Sequence, residues 1–172
     1  MIDYVEDLRT TVSRVAARLL EVSDTGAARY PAPGKWSAKE IIGHLIDSAA
    51  NNHLRFVRAQ VTNDLVAPGY PQEDFVRLQQ YQQAPWPELV TLWREYNLHI
   101  ARVIEAMPDD VRLRERREHN LDQIAWQAVP REQPVTLDYF MADYVAHLHH
   151  HLRQIEAALG ITFGGRAASS CG

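Results

Sequence analysis

Residues 143–155 have the sequence DYVAHLHHHLRQI, in which four of thirteen positions are histidine. Residues four apart on a helix lie one turn apart and about 40° from each other around its axis. His147 and His151 therefore share one face, and they can bind a single ion together. His149 and His150 point towards other faces, so the segment predicts one chelating pair rather than a cluster of four.

Apolar residues beside this pair indicate that the helix packs against a core. They recur at helical spacing and flank the row that contains the pair: Tyr144, Leu148, Ile155 and Leu159. Asp143 and Gln154 belong to the histidine row, which therefore lies at the interior or the edge of the packed helices. The alternative is a solvated face of surface histidines that bind no metal, and this segment alone leaves both interpretations open.

A second predicted helix offers a third imidazole. Ser37 and Glu40 have the spacing of a capping box, in which each side chain bonds to the backbone N–H of the other residue. The apolar run that follows is interrupted by a polar row at helical spacing: His44, Asp47, Ser48 and Asn51. Such a row can simply face solvent. If it instead faces His147 and His151, the three imidazoles form a site with an open coordination position, which is typical of catalytic metals.

Two carboxylates, Asp47 and Asp143, are the candidate catalytic residues because they lie in the same rows as the histidines. Each could act as a fourth ligand, hold a histidine N–H or accept a proton from the substrate. Gln154 is a further candidate for holding a histidine N–H. Leu148 follows His147, so the HExxH motif and its glutamate base are absent from this helix.

The pattern of apolar residues, caps and breakers predicts four long helices. They cover residues 2–22, 37–61, 87–107 and 136–160, with a short helix at 72–82 and little periodicity in 108–133. Four long helices joined by long crossover connections indicate an all-α four-helix bundle. We expect extra structure in the two longest links, at residues 63–86 and 108–135.

Length and composition are those of one globular domain. The chain has 172 residues, of which 46% are hydrophobic and 23% charged, with a formal net charge of -4. We expect a single domain over residues 1–163 and a flexible tail over residues 164–172, which contains the only cysteine, Cys171. With one cysteine in the chain, a metal site would use nitrogen and oxygen ligands.

Charge and hydropathy patterns argue against two kinds of partner. No predicted helix carries a basic stripe for nucleic acid, and the arginines between residues 112 and 117 are interrupted by glutamate, as on a solvated face. No apolar run reaches the roughly 18 residues that span a membrane. The acidic, amphipathic N-terminus differs from a secretory signal, so we predict a cytoplasmic protein.

Two segments resemble the DinB-like superfamily. Residues 34–47, GKWSAKEIIGHLID, are similar to one of its helices, and residues 147–155, HLHHHLRQI, resemble its HxxxHxxQI pattern. The resemblance implies a DinB-like four-helix bundle, often a homodimer, that binds one divalent ion through three histidines. Carried over by motif, these ligands are His44, His147 and His151. Three imidazoles suit several transition metals, of which we expect zinc or nickel.

The resemblance also implies an enzyme that acts on small molecules. Known relatives include bacillithiol S-transferases and mycothiol-dependent maleylpyruvate isomerase, and others are classed by inference as metal-dependent hydrolases. The leading hypothesis is a thiol S-transferase that uses a low-molecular-weight thiol and a small electrophile, because a metal deprotonates a bound thiol. One alternative is a hydrolase that activates water. Another is a stress-related module that binds a metal or ligand without turnover.

Aromatic residues outside the motifs suggest where a substrate pocket could lie. Three tryptophans are candidates, namely Trp86, Trp93 and Trp126. Trp93 belongs to the apolar stripe of its helix and is expected in the core, whereas Trp126 lies in the aperiodic link and is the better pocket candidate. The remaining histidines are expected to be surface or packing residues rather than ligands: His53, His99 and His119.

Overall fold

Nine helical segments, four of them long, make up the computed structural model, which describes residues 2–164. In chain order they are α1 (Asp3–Leu19), α2 (Asp24–Ala28), α3 (Ala38–Arg58), α4 (Gln72–Leu78), a 3₁₀ helix (Tyr81–Gln83), α5 (Trp86–Glu105), α6 (Asp109–Arg112), α7 (Leu121–Ile124) and α8 (Leu137–Leu159). Helix α5 packs against α1 and α3, and α8 packs against α3. The predicted all-α four-helix bundle is confirmed, since the described residues form only two isolated β-bridges and no strand.

A single core lies between the four long helices. Their buried faces contribute large side chains that are almost completely excluded from solvent: Leu8, Leu19, Ile42, Leu45, Trp86, Trp93, Ile100 and Ile104. Burial of apolar side chains at this spacing supplies the main stabilisation of the bundle. Because α3 and α8 pack against each other, side chains on their facing sides meet inside the protein.

The predicted boundaries of the helices need three corrections. Helix α1 ends at Leu19 rather than near residue 22. The segment after it forms the short helix α2, which begins where the Ser23 hydroxyl accepts a hydrogen bond from the backbone N–H of Gly26. Helix α3 ends at Arg58 rather than near residue 61. The short helix expected at residues 72–82 is divided in two at Gln80, whose φ of 55° is left-handed and interrupts helical hydrogen bonding.

The capping box predicted at the start of α3 is present. The Ser37 hydroxyl accepts a hydrogen bond from the backbone N–H of Glu40, and the Glu40 carboxylate accepts one from the backbone N–H of Ser37. Ser37 is fully buried, and its hydroxyl also lies 2.8 Å from Oε1 of Gln82. The box therefore sets where α3 begins, and with it the position of His44 about two turns further along.

Removing this cap is expected to destabilise the whole bundle. Ser37→Ala should lower the free energy of unfolding by about 1–2 kcal/mol, because the backbone N–H of Glu40 loses its acceptor at a buried helix end and Oε1 of Gln82 loses a donor. Ser13→Ala, at an exposed position within α1, is the matched control and should change it by less than about 0.5 kcal/mol. Urea unfolding followed by circular dichroism measures both. Equal effects in the two variants would contradict a role for the cap.

The link between α5 and α8 is ordered although its sequence shows little periodicity. Arg116 and Val135 exchange two backbone hydrogen bonds, and the buried Arg116 guanidinium donates to the backbone carbonyls of Ala59 and Val111. The prediction that this arginine lies on a solvated face is therefore wrong. His119 is buried against Gln133, which confirms that it is a packing residue.

None of the helices formed by residues 2–164 is long and apolar enough to cross a membrane. The predicted flexible tail lies outside the described residues except for Gly164, and so does Cys171.

Candidate metal centre

Helices α3 and α8 bring three imidazoles together. The Nε2 atoms of His44 and His147 are 3.4 Å apart, and those of His147 and His151 are 2.9 Å apart. One nitrogen of each ring lies within 4.8 Å of the other two. Nitrogen ligands about 2.0–2.1 Å from a tetrahedral ion lie roughly 3.3 Å from one another, so this spacing fits a single ion.

The two histidines of α8 lie together as helical spacing predicts, and His44 joins them as the family resemblance implies. His147 and His151 lie one turn apart on α8, and His44 enters from α3 with a fully buried side chain. The other two histidines of α8 point elsewhere, also as predicted. His149 contacts Asp7 of α1 at 2.6 Å, and the ring of His150 stacks obliquely near Trp126.

Burial keeps these imidazoles neutral. Desolvation, together with a smaller effect of the neighbouring histidines, lowers the pKa of His44 and that of His147 to about 3. Desolvation also lowers the pKa of His151. Because a metal binds the neutral ring through its lone pair, the site is ready for an ion at neutral pH.

Neighbouring polar groups orient two of the rings. The Nδ1–H of His151 donates to Oε1 of Gln154 over 2.8 Å, which directs the Nε2 lone pair towards the other histidines. This agrees with the predicted role of Gln154. Nδ1 of His147 lies 3.5 Å from the Ser48 hydroxyl.

The ring of His44 is held mainly by packing. Its centroid lies 5.4 Å from that of Trp36, and its Nδ1 has no hydrogen-bond partner among the described residues.

The two candidate carboxylates bind other groups than the histidines. Oδ1 of Asp47 accepts from the Tyr81 hydroxyl at 2.7 Å and from the Gln79 amide. The carboxylate of Asp143 accepts the backbone N–H groups of Trp126 and Gln127 at 2.8 and 2.9 Å. Burial raises the pKa of both aspartates, while these hydrogen bonds lower it.

Each aspartate therefore holds a loop beside the site. Within residues 2–164, no carboxylate, cysteine or further histidine joins the group formed by His44, His147 and His151. A role for Asp47 or Asp143 in proton transfer stays a prediction.

A cleft of about 260 Å³ opens beside His147. Its polar and aromatic lining comes from α3, α8 and the two long links: Ser48, Asn52, Arg55, Tyr70, Trp126 and Asp143. Trp126 is 41% exposed and lines the cleft, as expected for a pocket residue; that this cleft receives a substrate stays a prediction. Trp86 and Trp93 are fully buried in the core, so the suggestion that Trp86 lines the pocket is wrong.

Sequence reasoning missed Arg55 and Tyr70 as residues of the cleft. A signal for Arg55 was present, because Ser48, Asn52 and Arg55 continue the polar row of His44 at helical spacing. Tyr70 follows Pro68 and Gly69 in an irregular loop, where periodicity carries no information about direction.

The triad and the bundle match one known family. The sequence model of the DinB superfamily covers residues 7–155, which includes all three histidines. The chain belongs to the DinB superfamily. Among solved structures, this DinB protein resembles YfiT from Bacillus subtilis, with a TM-score of 0.68, 18% sequence identity, and coverage of 94% of this chain and 86% of that one. YfiT is described as a probable metal-dependent hydrolase with an unusual four-helix bundle topology. No curated protein matches the sequence.

Proposed function

We propose that this DinB-superfamily protein is a metal-dependent thiol S-transferase that joins a low-molecular-weight thiol to a small electrophile. The observation that carries the proposal is a cluster of three neutral imidazoles with no carboxylate among the potential ligands of the described residues, beside a polar cleft. The Nε2 atoms of His44, His147 and His151 would hold one divalent ion, zinc or nickel. Such an ion lowers the pKa of a thiol that binds to it.

The surroundings of the triad favour a thiol over water as the nucleophile. A free thiol has a pKa of about 8.5 and is deprotonated outright when it binds such an ion, whereas water is a far weaker acid whose pKa zinc lowers only to about 7. Activation of water therefore gains more from a nearby general base. Both nearby carboxylates are engaged by other donors, Asp47 by Tyr81 and Gln79, and Asp143 by two backbone N–H groups.

The residues of this chain have separate roles in the proposed reaction. Gln154 orients His151, and burial keeps the three rings unprotonated. Asp143 positions Trp126, which forms one wall of the cleft that would receive the electrophile. Asp47 holds the 79–81 segment against α3.

Hydrolysis is the second candidate, because the fold resembles that of YfiT, which is described as a probable metal-dependent hydrolase. In that case Asp47 or Asp143 would have to leave its present partners to accept a proton.

Turnover assays on zinc- or nickel-loaded protein separate the candidates. We expect loss of thiol with 1-chloro-2,4-dinitrobenzene in the presence of bacillithiol, mycothiol, glutathione or cysteine; the S–C bond forms as chloride leaves, and the buffer takes the thiol proton. Activity should disappear in His44→Ala and persist in His149→Ala, whose histidine pairs with Asp7. Cleavage of 4-nitrophenyl acetate without thiol would instead support the hydrolase. If the protein shows neither activity, it is a module that binds a metal or ligand without turnover, and the proposal is wrong.

A further inference from the structure

A buried cation lines the cleft beside the metal centre. Arg55 lies on α3 with 9% of its surface exposed, and it borders the same cleft as His147. Its guanidinium donates to the backbone carbonyl of Pro68 at 2.7 Å and to Oδ1 of Asn52 at 3.3 Å. Both acceptors are neutral, and no carboxylate of residues 2–164 forms an ion pair with it.

Such a charge is costly in this position. Removing a guanidinium from water without a counter-ion is unfavourable, and arginine stays protonated because its pKa is so high. Burial lowers the pKa of Arg55, because desolvation disfavours the charged guanidinium. By contrast, the buried Lys39 ammonium meets the carboxylate of Asp24 at 2.8 Å, and Arg112 meets that of Asp109 at 2.8 Å.

The buried Arg116 shows what a purely structural arginine looks like in this fold. Its guanidinium donates to three backbone carbonyls, those of Ala59, Val111 and Arg114, and it does not line the cleft. Arg55 has two acceptors for its five N–H donors and borders open space. Unused donors on a cation that faces a cavity are suited to an anionic ligand.

The other groups around Arg55 are neutral donors and acceptors. Burial raises the pKa of Tyr70 to about 12, so its phenol stays protonated, and Asn52 and Ser48 complete this side of the cleft. The carboxylate of Asp143, which also lines the cleft, accepts hydrogen bonds from two backbone N–H groups. A planar carboxylate matches the fork of N–H donors on a guanidinium.

We propose that Arg55 binds a carboxylate group of the small molecule that enters the cleft, so that the substrates include an organic acid. The proposal rests on the proposed function of the neighbouring metal centre, and it makes Arg55 a residue that selects the substrate. The carboxylate belongs either to the thiol or to the electrophile.

Calorimetric titration with matched acid and amide pairs tests this. The probes are N-acetylcysteine with N-acetylcysteine amide, and 3-phenylpropionate with 3-phenylpropionamide. Zinc-loaded wild-type protein should bind at least one acid about ten-fold or more tightly than its amide, the effect of a charged hydrogen bond. Arg55→Gln should lose this preference while keeping its zinc. Arg58→Gln, an exposed arginine at the end of α3, should retain it.

The outcomes separate the sources of the preference. A preference confined to the thiol pair places the carboxylate on the thiol, and one confined to the phenyl pair places it on the electrophile. If wild type shows no preference, or if the preference survives in Arg55→Gln because zinc itself binds the acid, the proposal is wrong.

A second variant covers the case in which Arg55→Gln does not fold. Arg55→Lys keeps the charge and a donor for Pro68 but lacks the fork, so the preference should fall several-fold. An unchanged preference would overturn the proposal. The binding readout is independent of turnover, so a protein without thiol transfer activity that still prefers acids through Arg55 would refute only the proposed reaction.

Discussion

Replacing His44 or His147 with alanine is expected to strip the protein of its metal. Each change leaves two of the three clustered nitrogen donors. Loss of a group that merely orients a ligand weakens metal binding about 10–100-fold, so loss of a ligand itself should weaken it by at least about 100-fold. Elemental analysis after dialysis should find about one equivalent of transition metal in the wild type and less than about a tenth in either variant.

His149→Ala is the matched control for this experiment. His149 lies on the same helix between the two α8 ligands, but its ring contacts Asp7 of α1. The variant should keep its metal. A wild-type protein that stays empty after exposure to zinc and nickel would refute the metal centre, and loss of metal in the control would show that the assay detects unfolding instead of ligation.

Among substitutions that add a single methyl group near the site, Gly43→Ala is expected to lower the free energy of unfolding most. A Cβ at Gly43 would lie 2.1 Å from Cδ2 and 2.2 Å from Cγ of the Tyr81 ring, far inside van der Waals contact. The clash includes Cγ, which stays in place when the ring turns about the Cβ–Cγ bond, so a ring flip cannot relieve it. Displacing Tyr81 also breaks its hydrogen bond to the buried Asp47. Together these should cost about 3 kcal/mol or more.

Urea unfolding measures this cost, with Gly69→Ala as the control. A Cβ at Gly69 would meet no atom within 4 Å, so that variant should lie within about 0.5 kcal/mol of the wild type. Because Gly43 precedes His44, the Gly43 variant should also bind zinc more weakly. Equal stability of the two variants would show that the 81–83 segment moves aside freely, so that its close contact with Gly43 contributes little to stability.

Local sequence was sufficient to predict the parts of the site that depend on one helix. The capping box of Ser37 and Glu40 and the four-residue spacing of His147 and His151 follow from helical geometry alone. The resemblance to the DinB family supplied the step that spacing could not, the pairing of His44 with the other two. The family model and the structural match confirm that resemblance.

Sequence analysis was least successful for side chains whose burial and hydrogen-bond partners depend on contacts between distant segments. Arg116 looks like a surface residue in a charged run, yet its guanidinium is buried against the carbonyl of Ala59, just after α3, and that of Val111 in the link. Asp47 and Asp143 lie in the histidine rows, but their carboxylates turn to partners 34 and 17 residues away, Tyr81 and Trp126. Side-chain hydrogen bonds have many possible partners, and the sequence pattern does not rank them.

By itself, the sequence determined the helices, the amphipathic faces and the identity of the chelating pair, because these follow from interactions within a few residues along the chain. Only the tertiary structure decided that the polar row of α3 faces α8 instead of solvent, and that Arg55 and Tyr70 share a cleft with His147. The physical reason is that a polar group is buried only if another helix packs over it. Which helix does so depends on the close packing of all core side chains together.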